Sequence, residues 1–444
     1  MQPHVHDFVG IGLGPFNLGL ACLSSSIESL DCLFLERKPE FSWHPGLMLE
    51  AAHLQTPFMA DLVTMADPTH PLSFLNYVKQ QGRLYSFYIR ENFFLMRREF
   101  NQYCQWAASQ INNVRYNQNV VNIEYDEPNA LYRIKAEHTK THLITEILTR
   151  RLVLGTGPVP NLPAPCTKPR DNIIHSADYL FKKSELQKQN SITVVGSGQS
   201  AAEIFYDLLQ DIDSKGYQLN WITRSPRIFP LEYTKITLEM TSPDYVDYFH
   251  QLAPNTRAKL LKQQNGLYKG INSELINAIY DLMYVKQLNG PLDARITTNT
   301  SLQLVRDIPD GIKLTFLQEE QDQAFEIDTQ FVVMATGYKY RLPKFIRAIA
   351  EHINWEAPGR FAVDRNYCID SRKTLFVQNA ELHSHGFATP DLGMASYRNS
   401  CILREIMGYA PYAIEERIAF QTFTARPSQA SAFTYALTPQ EARA

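Results

Sequence analysis

At 444 residues the chain is long enough for two or three packed domains with sizeable cores. Its 44% hydrophobic and 20% charged residues are ordinary for a soluble globular protein, and a net charge of -3 leaves no basic footprint for nucleic acid or anionic membrane. Six scattered cysteines (Cys22, Cys32, Cys104, Cys166, Cys368, Cys401) form no CxxC pair and no metal-ligand spacing, which favours reduced thiols over a disulfide framework. The apolar run over residues 8–23 is broken by glycines, Pro15 and Asn17 and lacks a basic leader, so neither a signal peptide nor a membrane span is expected. A soluble, cytoplasmic protein is the expectation.

The chain opens as strand, tight turn, helix and strand. Residues 8–11 lead into Gly10-Ile-Gly12-Leu-Gly14-Pro15, a helix follows over 18–25, and a strand over 32–35 ends at Glu36. Glu36 stands 26 residues after Gly10, at the strand tip where a carboxylate can accept hydrogen bonds from ribose hydroxyls. Residues 41–75 are irregular and rich in Pro, His and aromatics. A helix over 97–110 has Phe100, Tyr103, Cys104 and Ala107 on its apolar face; residues 120–125 and 131–136 read as a strand pair, and 151–155 as a buried strand.

A second unit begins near residue 191. Its strand, 192–195, runs into Gly196-Ser-Gly198-Gln199-Ser200-Ala201, a helix extends to residue 209, and a strand over 219–223 ends at Arg224. Residues 226–288 carry Tyr and Leu at helical spacing and read as a mostly helical insertion. A strand runs into a turn over 331–338, another strand covers 375–379, and a final helix covers 396–408. The polar last thirty or so residues, with Pro427, read as a poorly ordered tail.

A glycine turn between strand and helix lets backbone amides approach a pyrophosphate, and the helix N-terminus adds positive potential. Pro15 and Ala201 replace the third glycine of the two turns, but each turn has the strand-before, helix-after context the motif needs. Two such turns suggest two dinucleotides and electron transfer between them, as in a flavin enzyme fed by a nicotinamide. Arg224, with Arg227 nearby, favours the 2′-phosphate of NADPH over the bare ribose of NADH.

Several further motifs occur in order: Phe41-Ser-Trp43-His44-Pro45-Gly46, Leu54-Gln55-Thr56, Asp61-Leu-Val-Thr64, Pro68-Thr69, Ser73-Phe-Leu-Asn-Tyr77, Ala335-Thr336-Gly337-Tyr338 and His385-Gly386. With the first glycine turn they make residues 5–410 resemble the microbial N-hydroxylating flavin monooxygenases of siderophore biosynthesis, which act on lysine, ornithine or diamines. The resemblance implies bound FAD, NADPH as reductant, O2 as co-substrate and a C4a-hydroperoxyflavin protected in a water-poor pocket. It also implies a homo-oligomer, dimer or tetramer. Trp43, His44, Pro45 and Gln55 match flavin-lining positions, with Gln55 a hydrogen-bond donor near the isoalloxazine. Ala335, Thr336, Gly337 and Tyr338 join the cofactor-binding set. His383 and His385 have the spacing of a metal pair but lack further ligands, and read as structural or flavin-side residues.

The substrate end departs from the amino-acid-using relatives. Where those carry a lysine for the substrate carboxylate, this chain has Ala60, and where they tend to show Leu-Ser it has Asp391-Leu392-Gly393. An unpaired carboxylate in a dry pocket costs several kcal/mol, so the expected substrate is a decarboxylated amine: putrescine, cadaverine or histamine. Asp391, Glu239, Asp244, Asp247 or a tyrosine face could hold a distal ammonium. Lysine or ornithine would need a carboxylate partner such as Lys269 or Arg398. An NADPH-dependent oxidase or reductase, or a non-enzymatic redox sensor, is the more remote alternative.

The expected architecture is two Rossmann-like dinucleotide-binding domains with a smaller, mostly helical substrate-binding insertion. FAD-binding parts span residues 1–165 and 331–415, and NADPH-binding parts span 166–240 and 296–330. The insertion spans 241–295 and the tail 416–444.

Overall fold

The computed structural model describes residues 4–356 and 359–425. Two five-stranded parallel sheets organise it. In the first, the order is Leu375–Val377, Leu152–Leu154, Phe8–Ile11, Cys32–Leu35 and Val114–Arg115. In the second it is Ile173–His175, Phe331–Met334, Ser191–Val195, Gln218–Ile222 and Ala294–Thr297. Parallel strands are covered on both faces, which is why Phe8–Ile11, Cys32–Leu35, Leu152–Leu154 and Phe331–Met334 are buried throughout and read as unbroken apolar runs. Each glycine turn leaves the carboxyl end of a strand in mid-sheet and enters a helix, Pro15–Ser25 or Gln199–Lys215. That is where open α/β sheets bind ligands.

Two segments carry the chain between the sheets. After Leu152–Leu154 it passes through Val159–Pro160 into the second sheet; after Phe331–Met334 it returns through Tyr338–Lys339, and the two crossings pair antiparallel. The strand Phe331–Met334 thus lies inside the second sheet, so the return to the first begins after Met334 and not at residue 331. An apolar run looks the same in either parallel sheet, and only its partners assign it. For the same reason residues 294–295, expected in the insertion, open an edge strand of the second sheet.

An antiparallel layer accompanies each sheet. Gln118–Asp126, Leu131–His138 and Ile144–Thr149 form the first layer, as the alternation over 120–136 predicts. Thr300–Ile308, Gly311–Gln318 and Gln323–Thr329 form the second. Within the irregular stretch, His53–Pro57 makes a short ribbon with Phe94–Met96.

The insertion is helical: Lys235–Leu238, Pro243–Gln251, Pro254–Gln263, Asn265–Tyr268 and Ser273–Gln287. Ser242 caps Pro243–Gln251 by accepting the Tyr245 N–H, and Tyr245 and Phe249 pack with Phe387. The expected tail departs from prediction in its first ten residues. The Ile418 N–H bonds Asp244, the Phe420 and Gln421 N–H groups bond Glu239, and the Phe423 ring meets Tyr245 edge-on at 5.1 Å. These backbone donors find carboxylates presented by another element, which polar composition alone does not reveal. Residues 426–444 lie outside the described residues.

Candidate functional site

At the first turn, Gly12 adopts φ +85°, and a Cβ there would lie 2.6 Å from the Gly155 carbonyl oxygen, so the turn can close only around glycine. Gly10 is held against the Phe34 ring, where a Cβ would come within 2.2 Å. A Cβ at Gly14 meets nothing within 4 Å, and Pro15 opens the following helix with no side-chain cap. Uncapped amides facing open space fit a pyrophosphate. Glu36, buried at its strand tip, accepts the Leu13 N–H at 2.7 Å and the Lys38 N–H at 2.9 Å, which fixes the carboxylate beside the turn.

Sequence reasoning missed the residues that brace this turn. Asn17 donates to the Gly12 carbonyl at 2.7 Å and accepts from Gln378 at 2.7 Å. Thr156 Oγ1 and Gln378 Oε1 remain buried without partners, as expected where a polar ligand completes the shell. Their only sequence signal is that both follow apolar strands of the same sheet, Leu152–Leu154 and Leu375–Val377.

The second turn is similar. A Cβ at Gly198 would meet only the Lys269 carbonyl oxygen at 3.6 Å, and Gly196 lies against the Ala335 backbone. Ser200 is half-buried in the first helical turn. Gln199 turns back from the open space: its Oε1 accepts the Asn272 N–H at 2.9 Å and its Nε2 donates to Glu203 at 3.0 Å. Arg224 and Arg227 are exposed just past Gln218–Ile222, and Arg224 makes no ion pair among the described residues.

An aromatic group joins residues 43–44 to the second crossing between the sheets. His44, at φ 48°, has its ring 5.1 Å from Trp43 and 5.5 Å from Tyr338, and Tyr338 lies 5.1 Å from His175. Burial, then the charges of Arg97 and Lys38, lower the His44 pKa to about 4, so its imidazole is neutral at working pH. Tyr338 Oη is buried without a partner, Thr336 Oγ1 donates to the Asn161 carbonyl at 2.6 Å, Gly337 adopts φ +75° and Ala335 is buried. The Gln55 amide donates to the Gly270 carbonyl at 3.1 Å and to Asn272 Oδ1 at 3.0 Å. Both donor hydrogens are thereby committed, leaving Gln55 an acceptor oxygen rather than the donor expected near the isoalloxazine.

At the substrate end, Ala60 and Gly393 are neighbours: a Cβ on Gly393 would lie 4.0 Å from that of Ala60. Asp391 Oδ1 accepts the Gly393 N–H at 2.6 Å and so caps the short turn Leu392–Met394, while Oδ2 makes no hydrogen bond among the described residues. Burial holds the Asp391 carboxyl above the ordinary aspartate value, with Arg398 pulling the other way. Tyr233 lies close enough that, after burial, the Asp391 charge helps raise its phenol.

The other acids considered for an ammonium are engaged. Glu239 and Asp244 hold the backbone of residues 418–421, and Asp247 pairs with Arg365. The cations considered for a carboxylate are also placed otherwise. Arg398 is buried against Glu381 at 3.0 Å and donates to the Thr389 carbonyl, and exposed Lys269 lies 4.9 Å over the Tyr268 ring. His383 bonds the Phe361 carbonyl oxygen and His385 the Arg365 carbonyl oxygen, so both tie down backbone. Among the described residues His4, His6 and Asp31 have metal-ligand spacing. They sit at the amino ends of the first-sheet strands, opposite the glycine turn.

A family model described as L-lysine 6-monooxygenase/L-ornithine 5-monooxygenase matches residues 4–340. The chain is 55% identical over 419 residues to a putrescine N-hydroxylase of Shewanella oneidensis, covering 94% of this chain and 84% of that protein. It is 45% identical over 420 residues to a putrescine N-hydroxylase of Acinetobacter baumannii, covering 95% and 94%. Among solved structures it resembles FAD-bound DfoA, a cadaverine monooxygenase of Erwinia amylovora, with TM-score 0.94 and 57% identity over 96% of this chain and all of that one. It also resembles the Kutzneria ornithine N-hydroxylase KtzI with reduced FAD, NADP+ and L-ornithine, with TM-score 0.84 and 27% identity over 91% of this chain and 99% of that one. No helix among the described residues is long and apolar enough to cross a membrane.

Proposed function

The chain belongs to the L-lysine 6-monooxygenase/L-ornithine 5-monooxygenase family, and from that premise we propose that it N-hydroxylates a short primary diamine, putrescine or cadaverine, for siderophore biosynthesis in the cytoplasm. FAD, NADPH and O2 are its cofactors and co-substrate; the flavin, once reduced, supplies the oxygen activation. Gly10, Gly12, Gly14 and Pro15 receive the FAD pyrophosphate, and Glu36 receives the ribose. Gly196, Gly198, Gln199 and Ser200 frame the NADPH pyrophosphate, with Arg224 free for the 2′-phosphate. Trp43, neutral His44 and Tyr338 keep water from the space between the two turns.

The observation that carries the diamine reading is the Ala60–Asp391–Gly393 corner. It offers a partly desolvated carboxylate with one oxygen spare and no ion pair among the described residues, only the more distant pull of Arg398, which suits a distal ammonium and penalises a substrate carboxylate. The reacting amine must be neutral to attack, and free primary amines titrate near ~10, so activity should rise toward alkaline pH. The test is hydroxylamine formed per NADPH oxidised with putrescine, cadaverine, histamine, lysine and ornithine. Tight coupling with a diamine supports the reading. Coupling confined to lysine or ornithine overturns the substrate assignment, and peroxide with every amine overturns the hydroxylase reading.

A further inference from the structure

Among the described residues the two sheets are joined by two chain crossings, through Val159–Pro160 and Tyr338–Lys339. Units connected this way are free to pivot unless an interface holds them. Leu47, Leu49 and Ala52 pack into the second unit's core, Arg257 pairs with Glu356 and Asp247 with Arg365, and beside these contacts the interface carries a closed polar ring. Arg97 donates to both oxygens of Glu203, at 2.9 and 2.8 Å, and also to the Leu47 carbonyl oxygen at 2.7 Å. Glu203 accepts from Gln199, Gln199 accepts from the Asn272 backbone, and Asn272 Oδ1 accepts from Gln55. Gln55 and Arg97 close the ring, because His53–Pro57 pairs with Phe94–Met96 and the Arg97 N–H bonds the Ala52 carbonyl.

Both ends of the ring therefore stand on one ribbon of the first unit, and its middle is the start of the helix behind the second glycine turn. Glu203 is 5% exposed, and a fork-on-fork guanidinium–carboxylate pair in that setting has direction as well as strength. Gly46 supplies a fulcrum: a Cβ there would lie 1.8 Å from the Ala177 carbonyl oxygen, so the two units touch backbone to backbone. Gln199 lends its backbone to the second turn while its side chain points into the ring, and Arg97, Glu203, Asn272 and Gln55 stand outside both phosphate-binding sets.

We propose that Arg97 and Glu203 are positioning residues that lock the second nucleotide turn onto the flavin-side ribbon, so that the bound nicotinamide dinucleotide covers the space where oxygen is handled. This rests on the reading of the two turns as FAD and NADPH sites. With the lock broken, the nucleotide still binds but the cover opens. Electrons then pass from NADPH to O2 without reaching the amine: NADPH, H+ and O2 give NADP+ and H2O2, two electrons from each NADPH reducing one O2.

The experiment compares wild type with Glu203→Gln, Arg97→Gln and the double variant, each as FAD-loaded protein. Two readouts are taken: hydrogen exchange at residues 52–57, 199–203 and 270–272, and peroxide released per NADPH with the preferred diamine. Each single variant is expected to speed exchange at those three segments together by about tenfold or more. Each is also expected to raise the peroxide fraction at least about threefold while NADP+ affinity changes less than that. The double variant should be no worse than either single one, because both remove the same contact. A fall in melting temperature with unchanged coupling and no concerted exchange overturns the positioning role and leaves a stability contact. The exchange readout needs no amine turnover, so it still decides the lock if the wild type proves to hydroxylate none of the amines tried.

Discussion

Replacing Asp391 by Asn removes the charge at the diamine corner while changing almost nothing else. The Gly393 N–H, 2.6 Å from Oδ1, keeps an oxygen acceptor in the variant, so the turn Leu392–Met394 retains its cap. What changes is the spare Oδ2, which becomes an NH2 group presented to an ammonium. A hydrogen bond to a charged partner contributes about 1.5–3 kcal/mol, and leaving an ammonium unpaired in a desolvated corner costs about 3–5 kcal/mol. Because Asp391 is only half-buried, the lower part of that span applies, about 2–3 kcal/mol, or roughly 30- to 150-fold in kcat/KM for putrescine or cadaverine.

Most of that loss should appear in KM, since the distal ammonium lies far from the reacting nitrogen. The pH dependence separates function from folding. Burial raises the Asp391 carboxyl above its unfolded value, so its ionised form costs the native state free energy above that raised pKa. The Asn variant should therefore melt no lower than wild type at pH 7–8. The acid limb of kcat/KM that belongs to Asp391 should vanish, while the rise toward alkaline pH from the amine persists. The assay is steady-state hydroxylamine production against diamine concentration from pH 5.5 to 9.5. A putrescine KM within about threefold of wild type would refute the assignment.

Three further outcomes follow from the same geometry. Ala60→Lys places a second cation beside Gly393 and Asp391; at an effective dielectric of 20, two like charges 4 Å apart repel by about 4 kcal/mol, so diamine turnover should fall by more than about a hundredfold, checked by KM measurement. Gly12→Ala forces a Cβ to 2.6 Å from the Gly155 carbonyl oxygen at φ +85°, and the protein should be isolated without yellow flavin absorbance; full flavin occupancy would count against the turn as the FAD site. His44, with its pKa lowered to about 4, is neutral when folded and protonates more readily when unfolded. Stability should accordingly be complete above pH 6.5 and decline between pH 6.5 and 4, and a His44→Gln variant should show a shallower decline in melting temperature across that window.

The two nucleotide turns were legible because their requirements are local. A strand, closely packed glycines (Gly12 at positive φ in the first turn) and a helix start are written within a dozen residues, and Glu36 follows the first turn at the next strand tip. The helical insertion and the strand pair over 120–136 were legible from periodicity for the same reason. That Ala60 stands where the amino-acid-using relatives carry a lysine came from the family resemblance of the motifs, not from the residue itself.

What the chain alone left open depended on partners distant in sequence. Four acids had equal standing for the ammonium, and only packing showed that Glu239 and Asp244 hold residues 418–421 and Asp247 holds Arg365, which leaves Asp391 with a spare oxygen. Gln55 read as a flavin donor until Gly270 and Asn272 were seen to take both its hydrogens. Phe331–Met334 could belong to either sheet, because a buried parallel strand carries no mark of which neighbours it pairs with. Local backbone chemistry is encoded in adjacent residues; the choice among equivalent side chains, and among equivalent sheets, is made by contacts that chain proximity does not record.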